Sequence, residues 1–132
     1  MTWFIAYIST AAAFFTMDFL WVGFVAKNFY FSRMGHLLAD KVNYVAAGGF
    51  YLLYVAGIII FAVAPAMKSG SWQTAAMYGS LFGFFCYATY DMTNQATLKN
   101  WPVAVTIVDI AWGTVLTGTA ATIGYLLIRK FA

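Results

Sequence analysis

The chain has 132 residues, of which 64% are hydrophobic, 20% aromatic and only 8% charged. A soluble domain carries about 25% charged residues, so this composition excludes an ordinary soluble globular protein. The net charge of +3 does not indicate nucleic-acid binding, because the seven basic residues lie between or at the ends of apolar segments, where cations meet lipid headgroups.

Four apolar segments predict an all-α integral membrane protein, with four transmembrane helices in one antiparallel bundle. Each segment is long enough to cross a hydrocarbon core of about 30 Å, which takes roughly 20 helical residues. We expect helices over about 2–26, 42–64, 71–98 and 101–128, within a single domain of residues 1–132.

Capping and breaking residues set the expected helix ends. Pro65 predicts the end of the second helix, and Ser71 is a plausible N-cap for the third. Asn100 is expected to cap the fourth helix, with Pro102 in its first turn. Because the last two connections are short, consecutive helices should be antiparallel neighbours.

The segment between the first two helices, residues 28–41, mixes aromatic and basic side chains. It contains Phe29 and Tyr30 beside Arg33, His36 and Lys41. This mixture predicts a short helix lying in the membrane interface, with an ordered polar loop as the alternative.

Three of the four acidic residues, Asp18, Asp91 and Asp109, lie inside the apolar segments. A charge near the middle of a bilayer costs at least a few kcal/mol, so it is rarely there without a partner or a role. Counting residues along antiparallel helices places all three roughly 10 Å below the same membrane face. Carboxylates packed together in a low dielectric cannot all be ionised, and a shared proton would suit a proton relay or a general acid/base.

Two of these aspartates are followed by tryptophan at the same spacing. Asp18 precedes Trp21 and Asp109 precedes Trp112, and a spacing of three puts each pair on one helical face. The indoles could donate their N–H groups to the carboxylates or form the wall of a ligand pocket. Inverted internal duplication would explain the repeat, as would chance in an aromatic-rich chain.

The third predicted helix is the most polar, and several of its side chains share a face with Asp91. Tyr87 and Asn94 lie on that face by helical spacing, while Lys99 can reach the membrane surface or bend inward. Asn43, at the same end of the second helix, could cap the pocket. The candidate ligand-binding or proton-relay residues are therefore Asp18, Trp21, Asn43, Tyr87, Asp91, Asn94, Lys99, Asp109 and Trp112.

A divalent-cation site is a weaker alternative for the same region. Asp18, Asp91 and Asp109, with His36, offer hard oxygens and one imidazole. No HExxH-type or CxxC-type motif supports it, so we expect no metal and no cofactor. The single cysteine, Cys86, excludes an intrachain disulfide and is expected to be a packing residue.

The run Tyr-Ala-Thr-Tyr-Asp-Met-Thr-Asn-Gln-Ala-Thr-Leu-Lys-Asn-Trp-Pro at 87–102, followed by Val-Asp-Ile-Ala-Trp-Gly at 108–113, resembles a bacterial family of small membrane proteins. That family is known only as a domain of unknown function. Upstream, Asp-Phe-Leu-Trp and Gly-Phe-Tyr-Leu-Leu-Tyr fit it too, so the resemblance covers nearly the whole chain. It implies a four-helix, multi-pass protein of the bacterial inner membrane, and it brings no activity, cofactor or catalytic residues.

Three functions fit these residues. The first is binding or modification of a small amphiphilic or lipid-like ligand in a pocket of aspartate, asparagine and tryptophan side chains. The second is a proton-coupled small-solute transporter acting as a homodimer, because four helices are too few to enclose a path alone. The third is a structural or accessory subunit in which the polar groups only fix packing. Membrane lipids are expected partners in all three, and whether the protein is an enzyme is left open.

Overall fold

Every regular element of the protein is helical, which confirms the predicted all-α class. The computed structural model describes residues 1–132. Its helices are α1 (Thr2–Leu20), α2 (Lys27–Met34), α3 (Tyr44–Ile58), α4 (Ala64–Ser69), α5 (Trp72–Thr97) and α6 (Val103–Phe131).

Three helices are long and apolar enough to cross a membrane. They are Thr2–Val25, Tyr44–Ser69 and Val103–Phe131. In the first, α1 continues through a π-helical turn, and in the second a π-helical turn joins α3 to α4. At 26 residues, α5 is equally long, and its polar residues make it less apolar than the other three. The fourth membrane span thus stays a prediction.

The second membrane helix passes through Pro65 and ends at Ser69, beyond the expected end at 64. A proline ring inside a helix clashes with the carbonyl four residues earlier. Here the π-turn Ile59–Val63 precedes the proline and widens the backbone at that point. The helix instead ends at Gly70, which adopts the left-handed conformation with φ 72°.

The turn between α5 and α6 differs from the expected capping. Asn100 adopts a left-handed conformation with φ 61° and lies in the turn, and α6 begins only after Pro102. The α5 side chain of Gln95 donates to the Trp101 carbonyl over 2.9 Å, and the buried Trp101 indole donates to Thr106 Oγ1 over 3.0 Å. These bonds fix α5 against α6 at the end of the bundle that carries Asp91 and Asp109. At its other end α6 runs to Phe131, past the expected 128.

Glycines allow α5 and α6 to pack closely. A Cβ atom on Gly83 would meet the carbonyl oxygen of Gly113 and the side chain of Thr117. A Cβ atom on Gly79 would lie 2.8 Å from that of Ala121. Small residues at such positions let two membrane helices approach backbone to backbone. The α5–α6 pair therefore has little rotational freedom.

The first turns of α3 stand away from the bundle. Tyr44 is 80% exposed and Val45 is 87% exposed, and a Cβ atom on Gly48 or Gly49 would meet nothing within 4 Å. In a membrane, exposed apolar side chains at this position would contact lipid. The gap that remains between this end of α3 and α5 forms part of the candidate site.

The segment after α1 begins with a short helix, α2, and is not wholly the ordered polar loop of the alternative. None of its side chains is buried, and the Arg33 guanidinium lies 4.1 Å from the centre of the Phe29 ring. Such a helix fits a position in the membrane interface. From this helix the Tyr30 hydroxyl reaches Asp109 on α6.

Candidate functional site

Asp18 is fully engaged in hydrogen bonds. One carboxylate oxygen accepts from the Trp112 indole N–H over 3.2 Å, and the other accepts from the Tyr51 hydroxyl over 3.1 Å. These donors come from α6 and α3, so Asp18 holds three membrane helices together. Satisfied in this way, a partly buried carboxylate is stable inside the bundle.

Asp109 receives its hydrogen bond from the interfacial helix. The Tyr30 hydroxyl donates to Asp109 Oδ1 over 3.1 Å and accepts from the Trp21 indole N–H over 3.1 Å. This chain of bonds ties α2 and the π-turn after α1 to α6. It places α2 over the end of the bundle where the carboxyl groups lie.

The repeated aspartate–tryptophan pairs exchange donors across the bundle. Trp112 donates directly to Asp18, and Trp21 acts on Asp109 through the Tyr30 hydroxyl. The two indoles stack at 4.4 Å between ring centres with an angle of 10° between planes. Only Asp18 therefore receives an indole N–H directly, and the donor to Asp109 is the Tyr30 hydroxyl of α2.

Asp91 is the exception among these carboxyl groups. Its side chain is 0% exposed, and neither oxygen has a hydrogen-bond partner. The polar group beside it is the carboxyl of Asp109. A buried polar group without a partner costs about 1–3 kcal/mol, and a charged one costs more. The fold keeps Asp91 in spite of this cost.

Two cavities meet at Asp109. The first, which we call the Cys86 cavity, has a volume of about 510 Å³ and lies between α3, α5 and α6. Its lining residues are Phe50, Tyr54, Cys86, Tyr87, Thr89, Tyr90 and Asp109. The wall is mostly aromatic, and the hydroxyl of Tyr54 is already paired with that of Thr117 over 2.8 Å. Asp109 supplies the one carboxyl group in this wall.

The second, which we call the Asp40 cavity, has a volume of about 690 Å³ and lies beneath α2 and the loop that follows it. Its lining residues are Val22, Tyr30, Phe31, Met34, Leu38, Ala39, Asp40, Val42, Tyr90, Asp91, Trp101, Val105 and Asp109. Three of the four acidic residues of the chain are in this set, and no lysine, arginine or histidine is. Tyr90 and Asp109 are shared with the Cys86 cavity.

The remaining predicted site residues lie in different places. Tyr87 lines the Cys86 cavity, and Asn94 lies beside the Tyr90 hydroxyl but lines neither cavity. The Asn43 side chain caps α3 by accepting from the Ala46 N–H over 3.1 Å. Lys99 is exposed in the turn after α5. The structure thus gathers the aspartates and tryptophans, and it leaves Asn43 and Lys99 outside their hydrogen-bond network.

The proposed metal ligands do not form one cluster. No group of three or more histidine, cysteine, aspartate or glutamate side chains is close enough to hold a metal ion. His36 is exposed in a short 3₁₀ turn, Gly35–Leu37. The alternative of Asp18, Asp91 and Asp109 with His36 as a cation site therefore lacks its geometry.

Several residues of the site were not expected from the sequence, and four of them have polar groups at or near the aspartates. Tyr30 and Tyr51 donate to the carboxylates, while Tyr90 and Asp40 line the Asp40 cavity. Asp40 follows α2 in a polar loop, where an acidic residue is usually just solvated. The tyrosines had one available signal, because a hydroxyl at the depth of a buried carboxylate is a natural donor.

Comparison with known proteins agrees with this architecture. The family model described as "Predicted membrane protein (DUF2177)" matches residues 3–126. No curated protein matches the chain, and no solved structure does either. The match covers nearly the whole chain, and it confirms the resemblance to a family of membrane proteins of unknown function. The chain therefore belongs to the DUF2177 family of multi-pass membrane proteins.

Proposed function

We propose that the protein binds a small amphiphilic or lipid-like ligand in the Cys86 and Asp40 cavities, within the inner membrane of a bacterium. The observation that carries the proposal is that two mostly hydrophobic cavities share one carboxyl group, Asp109. Ligand sites typically have volumes of about 300–1,000 Å³ and mostly apolar walls with a few polar groups that fix orientation. The two cavities, at about 510 and 690 Å³, fit this description.

The distribution of polar groups gives the ligand an orientation. The Cys86 cavity offers the rings of Phe50, Tyr54 and Tyr87, which suit an apolar tail. The Asp40 cavity offers the carboxyl groups of Asp91 and Asp109 beneath the interfacial helix, which suit a polar end near the membrane surface. A molecule with one end of each kind would occupy both.

The structural alternative explains only part of the site. Asp18 fits a packing role, because both of its oxygens bind donors from neighbouring helices. Asp91 does not fit that role in the same way, because no neighbouring helix supplies a donor to either of its oxygens. The transporter alternative needs a ligand in the same site, so occupancy of the cavities is the first thing to measure.

The single cysteine offers a direct test of occupancy. Cys86 lines the first cavity, so a bound ligand should slow its reaction with N-ethylmaleimide, measured by intact-protein mass spectrometry. The protein would be reconstituted in vesicles of uncharged digalactosyldiacylglycerol, with and without dodecyl-chain amphiphiles. We expect the amphiphile to slow modification of Cys86.

The matched control places a cysteine on the lipid-facing surface. Val115 is 57% exposed on α6 and lines neither cavity, so a Val115→Cys, Cys86→Ser variant reports the bulk membrane. Its modification should be insensitive to the amphiphile. If both cysteines respond equally, or neither does, the cavity is not a binding site.

A further inference from the structure

We propose that the polar end of this ligand is an organic cation, held in the Asp40 cavity between Asp40 and the Asp91–Asp109 pair. The inference rests on the proposed function and adds the chemical class of the head group. Three of the four acidic residues of the chain line this cavity, and none of the seven basic residues of the chain lines it. In a chain of net charge +3, this concentrates the acidic side chains in one place.

Asp91 provides the second observation. It is 0% exposed, lines the Asp40 cavity, and neither of its oxygens has a hydrogen-bond partner. Its polar neighbour, Asp109, is another carboxyl group, so the protein itself supplies no counter-charge. A cationic group would give the pair charge-assisted hydrogen bonds or direct ion pairing, which are stronger than neutral hydrogen bonds. An anionic head group would be repelled.

The spacing of the acids decides between a metal ion and an organic cation. A metal such as Ca²⁺ needs several oxygen ligands at about 2.3–2.6 Å. The three carboxyl groups are not gathered that closely, and the cavity they line has a volume of about 690 Å³. The walls between them include Tyr30, Tyr90 and Trp101. Aromatic faces together with carboxylates favour amines and quaternary ammonium groups through cation–π attraction.

The fourth acid, Asp18, shows what a structural carboxylate looks like in the same bundle. Both of its oxygens are paired with donors, and it lines neither cavity. Tyr30, by contrast, donates to Asp109 through Oδ1 alone. Asp18→Asn is therefore a matched control for the acids that line the Asp40 cavity.

The test compares three head groups on one dodecyl tail. Dodecyltrimethylammonium, dodecyldimethylamine oxide and dodecyl phosphate would be added at equal mole fraction to the same galactolipid vesicles, with protection of Cys86 as the readout. We expect the ammonium to protect at about tenfold lower mole fraction than the amine oxide, and the phosphate to protect least. Equal protection by all three would support the amphiphile site and overturn the proposal that its head group is a cation. Absence of protection by any would overturn both proposals.

Variants show whether the cavity acids cause the preference. Asp40→Asn and Asp91→Asn should each reduce the preference for ammonium about tenfold, whereas Asp18→Asn should preserve it. Asp40 is exposed on a loop, so its variant tests the idea even if Asp91→Asn does not fold. If the preference for ammonium survives both cavity substitutions, the proposal is overturned. It is also overturned if the preference is lost only in Asp18→Asn.

Discussion

Replacing Asp91 with leucine is expected to stabilise the protein while abolishing its preference for a cationic ligand. Asp91 is fully buried and no donor of the protein reaches either of its oxygens, so the cost of burying these polar atoms is not offset as it is at Asp18. Leucine has the same branched shape without the polar atoms.

The expected gain follows from the burial of this side chain. Removing an unpartnered buried polar group recovers about 1–3 kcal/mol. Leucine is slightly larger, and crowding in a packed interior costs about 1–3 kcal/mol when it cannot relax. Asp91 adjoins a cavity, which gives the larger side chain room. We therefore expect a net rise of about 1–2 kcal/mol in the free energy of unfolding.

The same substitution at Asp18 should have the opposite sign. Asp18→Leu strands the Tyr51 hydroxyl and the Trp112 indole N–H, both of which now donate to its carboxylate. Each orphaned donor costs about 1–3 kcal/mol, so this variant should lose about 2–6 kcal/mol. Opposite effects from two aspartates in one bundle would separate the ligand role from the packing role.

Equilibrium unfolding in mixed micelles of dodecyl sulfate and dodecyl maltoside, followed by far-UV circular dichroism, measures both values. The Cys86 protection assay then measures the ligand preference of the Asp91→Leu variant. If Asp91→Leu destabilises the protein as much as Asp18→Leu does, Asp91 has a stabilising partner within the fold. The reasoning that assigns it to a ligand would then be refuted.

Three further predictions follow from the packing. Gly83→Ala should lower the free energy of unfolding by about 1–2 kcal/mol in the same assay, because its new methyl group meets α6. Gly48→Ala is the control, because nothing lies within 4 Å of its new methyl group, and it should be neutral or stabilising by up to about 1 kcal/mol. Equal effects would contradict the close α5–α6 approach. Trp21→Phe should remove the exciton signal of the stacked indoles from the circular dichroism spectrum, and its persistence would argue against the stack. If α5 crosses the membrane, cysteines placed at Lys68 and Lys99 in a Cys86→Ser chain should react with an impermeant thiol reagent from opposite sides, and labelling from one side only would exclude that span.

The membrane fold was readable from the sequence because it depends on local quantities. Segment length and hydropathy determine which helices can span a bilayer, and neither quantity depends on how the helices pack against one another. The extension past Pro65 was not readable, since a π-turn before a proline depends on how the neighbouring helices hold the backbone. Asn100 was misassigned for a similar reason, because asparagine favours both the N-cap and the left-handed turn that it adopts.

The sequence by itself determined that this is a helical membrane protein, that Asp18, Asp91 and Asp109 lie in apolar segments, and that tryptophan follows two of them at the same spacing. Only the tertiary structure decided that Asp18 is satisfied and Asp91 is not, and that Asp40 joins the cavity of Asp91 and Asp109. The physical reason is that hydrogen bonds reach only about 3 Å, so a partner is fixed by the rotation and separation of whole helices. Those are set by glycine contacts and turn geometry far along the chain, and no local pattern records them.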